Sequence, residues 1–555
     1  MGFGVKGGGL KLPKLTAFLA GSAAVLCCLS ASALPHLEQQ GSAARLIVNN
    51  RPMLILGGEL GNSSASSAAY MAPHWPRLRQ MHLNTVLAPV SWELIEPTEG
   101  QFDWQSVDSM VAAARANQLK LVLLWFGAWK NSMSTYVPAW VKRDQLRFPR
   151  AALPNGRGLD ILSAFVPSTR DADSRAFCAL LAHLKKTDGD KETVVMIQVE
   201  NEIGMLPVAR DYGQAATAAF RAPVPEEFAR AVAQSDRFNG TQLRTLWEGR
   251  GRSTAGDWTA IFGDSDGAAE AFTAFYYARY VESLVHAGKA VYPLPMYVNA
   301  ALNRPMKAPG EYPSGGPLPH LLDVWKVGAP SLDLIAPDIY FANFSDLASR
   351  YKRPDNSLFI PEANRADRSE VGANALFAFG QLDALGFSPF AIESVDDKPP
   401  NTLTGAYSVL EQLTPAILAA QGLGKMIGLR PRVLEDATVI DTPVTQTLGH
   451  FRFTVSFVDT QSPKEQQDTA SHGAILIQTG PEDYLIAGQG VVVTFEPLGE
   501  GPPTAGIDSA WEGSFDAQGK WIPGRLLNGD QTHQGRHLRL APGGFQIQHV
   551  RLYRY

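Results

Sequence analysis

The sequence predicts an α/β protein, a (β/α)8 TIM barrel followed by a C-terminal all-β sandwich domain. Three observations carry this. Between about residues 45 and 391, eight short apolar runs alternate with longer mixed segments, the rhythm of repeated strand and helix units. Nearly every run ends in a Trp, Glu, Asn or Tyr, as strands do when they deliver polar groups to one rim of a barrel. Beyond about residue 428 helical periodicity gives way to short alternating strands separated by turn residues. A chain of 555 residues outgrows one core, so three regions are expected: a signal peptide (1–33), the barrel (34–427) and the sandwich (428–555).

The leader is read from its three parts. Lys6, Lys11 and Lys14 form a basic start, residues 15–29 are apolar but broken by Gly21 and Ser22, and Ala31-Ser32-Ala33 offers an A-x-A cleavage site. The apolar run is short for a spanning helix, and a retained membrane anchor is the alternative. Export to the periplasm, outer surface or medium is therefore expected, with no stable membrane insertion after cleavage. Leu26 before Cys27 and Cys28 argues against a lipoprotein signal. Cleavage leaves Cys178 as the one cysteine, so stability must come from core size rather than disulfides. The net charge of −5 becomes more negative without the leader lysines, which excludes nucleic acid and anionic membranes as expected partners. A neutral, hydroxyl-rich ligand is compatible with it.

In the barrel, residues 54–56 precede Gly57-Gly58-Glu59, residues 85–88 precede Pro89-Val90-Ser91-Trp92-Glu93, and residues 119–124 run into Trp125-Phe126-Gly127-Ala128-Trp129. The fourth run is the most informative, because Val194-Val195-Met196-Ile197-Gln198-Val199 ends in Glu200-Asn201-Glu202. Residues 296–298 lead to Asn299, 334–336 to Pro337-Asp338-Ile339-Tyr340, 358–361 to Glu362 and 387–392 to Glu393. Two connections are long. Residues 136–171, with several Pro and Gly, read as an irregular wall rather than a helix. Residues 206–288 hold Pro223, Pro225, Trp247 and Trp258 before an amphipathic run at 268–286, and insertions at this rim shape pockets more often than they stabilise folds. In the sandwich, strands are expected at 451–458, 474–478, 484–488, 491–496 and 546–553.

Buried carboxylates are costly. A strand ending in Glu200-Asn201-Glu202 therefore signals either a salt-bridged structural pair or a catalytic acid with a second carboxylate facing it. On a barrel, Glu202 after strand four and Glu362 after strand seven stand on facing sides of one rim. Two such groups, one protonated and one ionised, are what cleavage of a glycosidic bond requires. His74, His82, His183 and His286 show no metal-ligand spacing, so neither metal nor cofactor is expected.

The segment Gln198-Val199-Glu200-Asn201-Glu202-Ile203-Gly204 resembles the acid/base motif of glycoside hydrolase family 35, retaining β-galactosidases with catalytic glutamates on strands four and seven. Trp92-Glu93-Leu94-Ile95-Glu96-Pro97, with Glu99-Gly100 and Phe102-Asp103, is similar to the W-x-x-x-E-P-x-x-G-x-F-D pattern of families 35 and 42, and Ile95, where family 35 often has His, is closer to family 42. The resemblance implies Glu202 as general acid/base, Glu362 as nucleophile and Tyr340 as the tyrosine that hydrogen-bonds it. Asn201 is a candidate for a sugar hydroxyl beside the reacting carbon. Glu59, Trp125, Asn299 and Glu393 are candidates for the pocket floor, and Glu393 is the rival nucleophile. Trp129 and Trp325 could stack on a pyranose face, but a lone Trp is more often packed than used. Glu200, on the same side as Glu202 by strand alternation, would brace a hydroxyl or, as the favoured reading, pair with a buried Arg.

The implied activity is that of an exported retaining exo-β-galactosidase acting by double displacement on oligo- or polysaccharides, xyloglucan side chains among them. The alternatives are a β-glucosidase or β-mannosidase of the same superfamily, and a catalytically idle carbohydrate-binding protein. For the sandwich, structural packing on the barrel is favoured over independent carbohydrate binding.

Overall fold

The computed structural model describes residues 1–9, 33–395 and 401–555. Most of the expected leader lies outside the described residues. Among the described residues no helix is long and apolar enough to cross a membrane.

Eight strands close into a parallel barrel in chain order: Ile55–Glu59, Thr85–Ser91, Lys120–Phe126, Val194–Val199, Met296–Ala301, Leu334–Ile339, Ile360–Ala363 and Gly386–Pro389. Each overlaps one of the eight apolar runs, the last ending at Pro389 rather than at Ile392. The inward side chains, among them Ile55, Leu87, Leu124, Phe126, Met196, Tyr297, Ala336 and Phe359, form the inner core. Their neighbours in sequence, such as Leu56, Trp125, Ile197 and Val298, belong to a second core between strands and helices. This split is the period-two alternation of a strand buried on both faces. Leu46 and Val48, from an antiparallel sheet of His36–Gln40, Ala43–Val48 and Arg51–Met53, pack into the inner core and close one end of the barrel. The polar strand ends are at the other.

The two long connections are built differently from their reading. Residues 136–171 contain a short helix, Ala139–Arg143, and a hairpin of Arg150–Ala152 with Gly158–Leu162 before the helix Pro167–Asp188 begins. The connection after strand four folds into four short helices, Gln214–Arg221, Glu226–Gln234, Gln242–Gly249 and Trp258–Phe262, ahead of the long helix Asp266–Val291. Phe228, Phe238, Trp258, Phe262, Phe272 and Phe275 pack ring on ring there. Trp258 is fully buried in that cluster, so its aromatic content makes a core rather than a ligand wall.

The sandwich consists of a six-stranded antiparallel sheet (Met426–Leu429, Gly473–Gln478, Asp483–Gln489, Gln546–Arg554, Ala505–Phe515, Trp521–Leu526) and a four-stranded one (Val444–Leu448, Phe451–Ser456, Val491–Pro497, Leu538–Leu540). Phe451, Phe453, Val455, Leu476, Ile486, Val493 and Val550 fill the space between them.

Candidate active site

Four inward carboxyl groups converge at the carboxyl ends of the strands: Glu59, Glu202, Asp338 and Glu362. Asp338 and Glu362 are register partners on adjacent strands, so both point inward. A register shift along Ile360–Ala363 turns Ile360 and Ala363 both toward the helices and leaves Phe359 and Glu362 inside, as a bulge does. One oxygen each of Glu202, Asp338 and Glu362 lie within 4.8 Å of one another. Glu59 hydrogen-bonds the carboxyl of Glu362, and the Tyr340 hydroxyl also donates to Glu362. Lys130, in the loop after strand three, places its ammonium 3.9 Å from Glu202.

Burial is the first cause of every shift in this group. It pushes Glu59 and Asp338 well above the carboxylate range, with Glu362 next in effect on both. Glu202 is raised to about 7 by burial and by the Glu362 charge, against the pull of Lys130. Glu362 is also raised by burial, but the Tyr340 hydroxyl, Lys130 and Glu59 all draw it back toward the ionised form. The pair thus separates into one carboxyl that keeps a proton and one that can lose it. The oxygens of Glu202, Asp338 and Glu362 could hold a cation, but the Lys130 ammonium already stands beside them and opposes a second positive charge.

Asn299 is the hub beneath Glu202. Its Oδ1 accepts the Glu202 N–H at 2.9 Å, and its Nδ2 donates to Asn201 Oδ1 at 3.0 Å and to Asp338 Oδ2 at 2.7 Å. Asn201 also accepts from Gln198 Nε2 at 2.7 Å and donates to the Lys130 carbonyl at 2.8 Å. Its amide is buried and largely spent on protein partners, as is that of Asn299.

Several expectations need correction. Trp125 faces outward: its ring is fully buried among Trp92 and Phe177, and its Nε1 donates to Asp173 at 2.8 Å. Strand alternation puts Phe126, not Trp125, on the inner side. Trp129 packs on Tyr277 and Tyr280, and Trp325 donates to the Gly315 carbonyl at 3.1 Å; both are fully buried. Strand eight ends at Pro389, and Ala391, at φ 51°, turns the chain away. Glu393 therefore leaves the barrel interior and accepts from the N–H of Gly61 at 3.2 Å and from Ser64 Oγ at 2.5 Å, where it pins the loop after strand one.

Among the described residues Glu200 has no Arg partner. At φ 61° it sits in the left-handed region, as Glu202 does at φ 44°, so strand alternation stops at Val199 and the two glutamates diverge. Glu200 instead shares a hydrogen bond with Asp173 and accepts from the N–H groups of Trp129 at 2.7 Å and Ala128 at 3.3 Å. The Trp92 to Asp103 pattern is also structural. Glu96 accepts from Trp92 Nε1 at 2.6 Å and from the Gly100 N–H at 2.7 Å, which clamps the turn between them.

Asp338 and Lys130 are not among the site residues expected from the sequence. Asp338 carried a signal, since an Asp inside the apolar run ending at Ile339 is rarely buried without cause. Lys130 had none beyond following the third strand's end.

A closed parallel barrel with paired inward carboxyls at its rim is of the glycoside-hydrolase type. Residues 69–247, which span strands two to four and include Glu202, match the family 42 model described as beta-galactosidase. Residues 403–539 match a model described as a domain of unknown function, DUF5597. No curated protein matches. Similar solved structures include the β-galactosidase of the psychrophilic Marinomonas ef1 (15% identity, TM-score 0.45, 66% of this chain and 60% of that one). The cold-adapted β-galactosidase of Rahnella sp. R3 is also similar (15% identity, TM-score 0.45, 69% of this chain and 57% of that one). So is the catalytic domain of the β-amylase of Paenibacillus polymyxa (12% identity, TM-score 0.45, 64% of this chain and 97% of that one). The chain thus covers less than two thirds of the length of the two β-galactosidases.

Proposed function

We propose that the protein is an exported, retaining exo-β-galactosidase that removes terminal β-galactosyl residues from oligo- or polysaccharides, side-chain galactose of xyloglucan among them. One observation carries the retaining mechanism, namely that carboxyl oxygens of Glu202 and Glu362 lie within 4.8 Å. Retaining pairs are about 5 to 5.5 Å apart, whereas inverting pairs need about 6.5 to 9.5 Å to admit a water. Environment assigns the roles. Glu202, held protonated up to about 7 and 15% exposed at its side chain, suits the acid that meets leaving group and water. Glu362, met by the Tyr340 hydroxyl, suits the nucleophile.

In the first step a Glu362 oxygen bonds to the anomeric carbon as the bond to the leaving oxygen breaks, and Glu202 gives that oxygen its proton. In the second, Glu202 takes a proton from water, the water oxygen bonds to the anomeric carbon, and Glu362 leaves as the carboxylate. Galactose as the sugar is supported by the family match over residues 69–247.

Turnover of aryl β-galactoside, compared with the gluco and manno analogues, tests the sugar. Proton NMR of the first-formed product tests the mechanism: β-anomer is expected, and first-formed α-anomer would sink the retaining assignment. With azide, Glu202→Ala should yield β-galactosyl azide and Glu362→Ala the α-azide; the reverse pattern would exchange the roles.

A further inference from the structure

Lys130 belongs to no strand and no motif, yet its backbone is held from three sides. Glu200 accepts the two preceding N–H groups, of Ala128 and Trp129. Asn201 Nδ2 donates to the Lys130 carbonyl at 2.8 Å, and the Lys130 N–H donates to the Ser134 carbonyl at 3.1 Å. The side chain, 11% exposed, runs over the Phe126 ring with its ammonium 5.7 Å from the ring centroid and ends 3.9 Å from Glu202 Oε2.

The groups facing this ammonium come from four strands. Glu59, Glu202, Asp338 and Glu362 each feel its charge. The hydroxyls of Tyr297 and Tyr340 border the same cluster. Four carboxyls in a water-poor pocket cannot all ionise, and an opposite charge nearby favours the ionised form of whichever does.

We propose that Lys130 is a further functional residue of this site: its ammonium supplies the positive charge that lets one of the facing carboxyls ionise in the working pH range, and Glu200 and Asn201 are positioning residues that fix it there. The inference rests on the assignment of Glu202 and Glu362 made above. It gives Glu200-Asn201-Glu202 one logic, in which the first two side chains hold the loop whose ammonium faces the third.

The test compares pH profiles of kcat/KM on aryl β-galactoside for the full-length wild type, Lys130→Gln, Lys130→Met and Lys130→Arg, with thermal unfolding of each. Lys130 stabilises both carboxylates, so its loss raises both groups and moves both limbs of the profile to higher pH. A neutral variant should lose on the order of 100-fold in kcat/KM and shift both limbs up by about one pH unit. Lys130→Arg should keep the limbs in place. Lys130→Gln keeps polarity and most of the length, so it reads charge alone if Lys130→Met does not fold. A lowered but unmoved profile in Lys130→Gln would overturn the inference while leaving the pair intact. Full activity in Glu202→Gln and Glu362→Gln would instead overturn the assignment on which it rests.

Discussion

Tyr340 and Glu362 illustrate how much one hydroxyl is asked to do. Burial alone would keep Glu362 protonated, and the Tyr340 hydrogen bond is the first of the effects that oppose it. Tyr340→Phe should therefore cut kcat/KM by about 100-fold, the usual loss for one preorganised donor, and move the acid limb upward. The basic limb belongs to Glu202. Because its proton is held up to about 7, activity should fall as pH rises through that value in wild type and in Tyr340→Phe alike. A pH–rate series on both proteins checks the two limbs separately. Glu202, Glu362 and Tyr340 were legible because each follows an apolar run, where a polar side chain needs a reason. Glu393 gave the same signal and misled, since the turn at Ala391 cannot be read from Phe390-Ala391-Ile392. Asp338 was hidden by its place within the run, and Lys130 acquires meaning only when strand four closes on its loop.

The end of strand four shows how an element can make one carboxylate structural and another reactive. Glu200 and Asp173 are both buried, and burial raises both. Asp173 accepts from Trp125 Nε1 and the Tyr280 hydroxyl, each at 2.8 Å, so Glu200 is the partner that keeps the shared proton. A Cβ on Gly127 would come within 2.8 Å of Glu200 Oε1 and 2.7 Å of Asp173 Oδ1, which is why the loop passes over the pair at a glycine. Glu200→Gln supplies an N–H where the proton sits, and the 3.3 Å bond it gives up from Ala128 is duplicated by Asp173 at 3.2 Å.

The sign for stability follows from linkage. A carboxyl raised in the folded state holds a proton that the unfolded chain releases above about pH 4.3. Its stabilising effect is full at low pH and is lost as pH rises toward the folded value. Glu200→Gln should therefore match wild type in melting temperature at about pH 5 and equal or exceed it at about pH 8. Glu200→Leu leaves the Trp129 N–H without its partner and should cost about 1 to 3 kcal/mol at either pH. Wild-type stability that rises between those two pH values in step with a Glu200→Gln deficit would refute the shared proton. Strand alternation predicted the location of this acid but not its direction, because a left-handed φ at Glu200 leaves no trace in the residue pattern.

At the scale of the whole molecule, the burial of the strands shows where the sandwich docks. Phe451–Ser456 alternates buried and open positions, as a strand with one wet face must, whereas Gly473–Gln478 is buried along nearly its whole length. The half of the six-stranded sheet made by Met426–Leu429, Gly473–Gln478 and Asp483–Gln489 is accordingly covered on both sides, by the four-stranded sheet on one and by the helices Val371–Leu382 and Thr402–Ala420 on the other. Ile475, Ile477, Leu485 and Ala487 share one core with Leu376, Leu410 and Leu413 of those helices. Glycines set the closeness of this joint: a Cβ on Gly428 would stand 2.6 Å from the Leu376 carbonyl oxygen and 2.7 Å from the Gln381 nitrogen, and one on Gly405 or Gly372 would strike the Phe545 ring at 2.7 Å. Backbone atoms cannot yield as a flexible side chain can, so Gly428→Ala must part the helix from the sheet at a cost of about 1 to 3 kcal/mol. Because the core is continuous across the joint, barrel and sandwich should unfold together, and Gly428→Ala should lower that single calorimetric transition by a few degrees. Its kcat/KM at 25 °C should stay at the wild-type value, since the joint touches none of the four rim carboxyls. Two separate wild-type transitions, with only the sandwich's moved by the substitution, would mean that the shared core does not couple the domains.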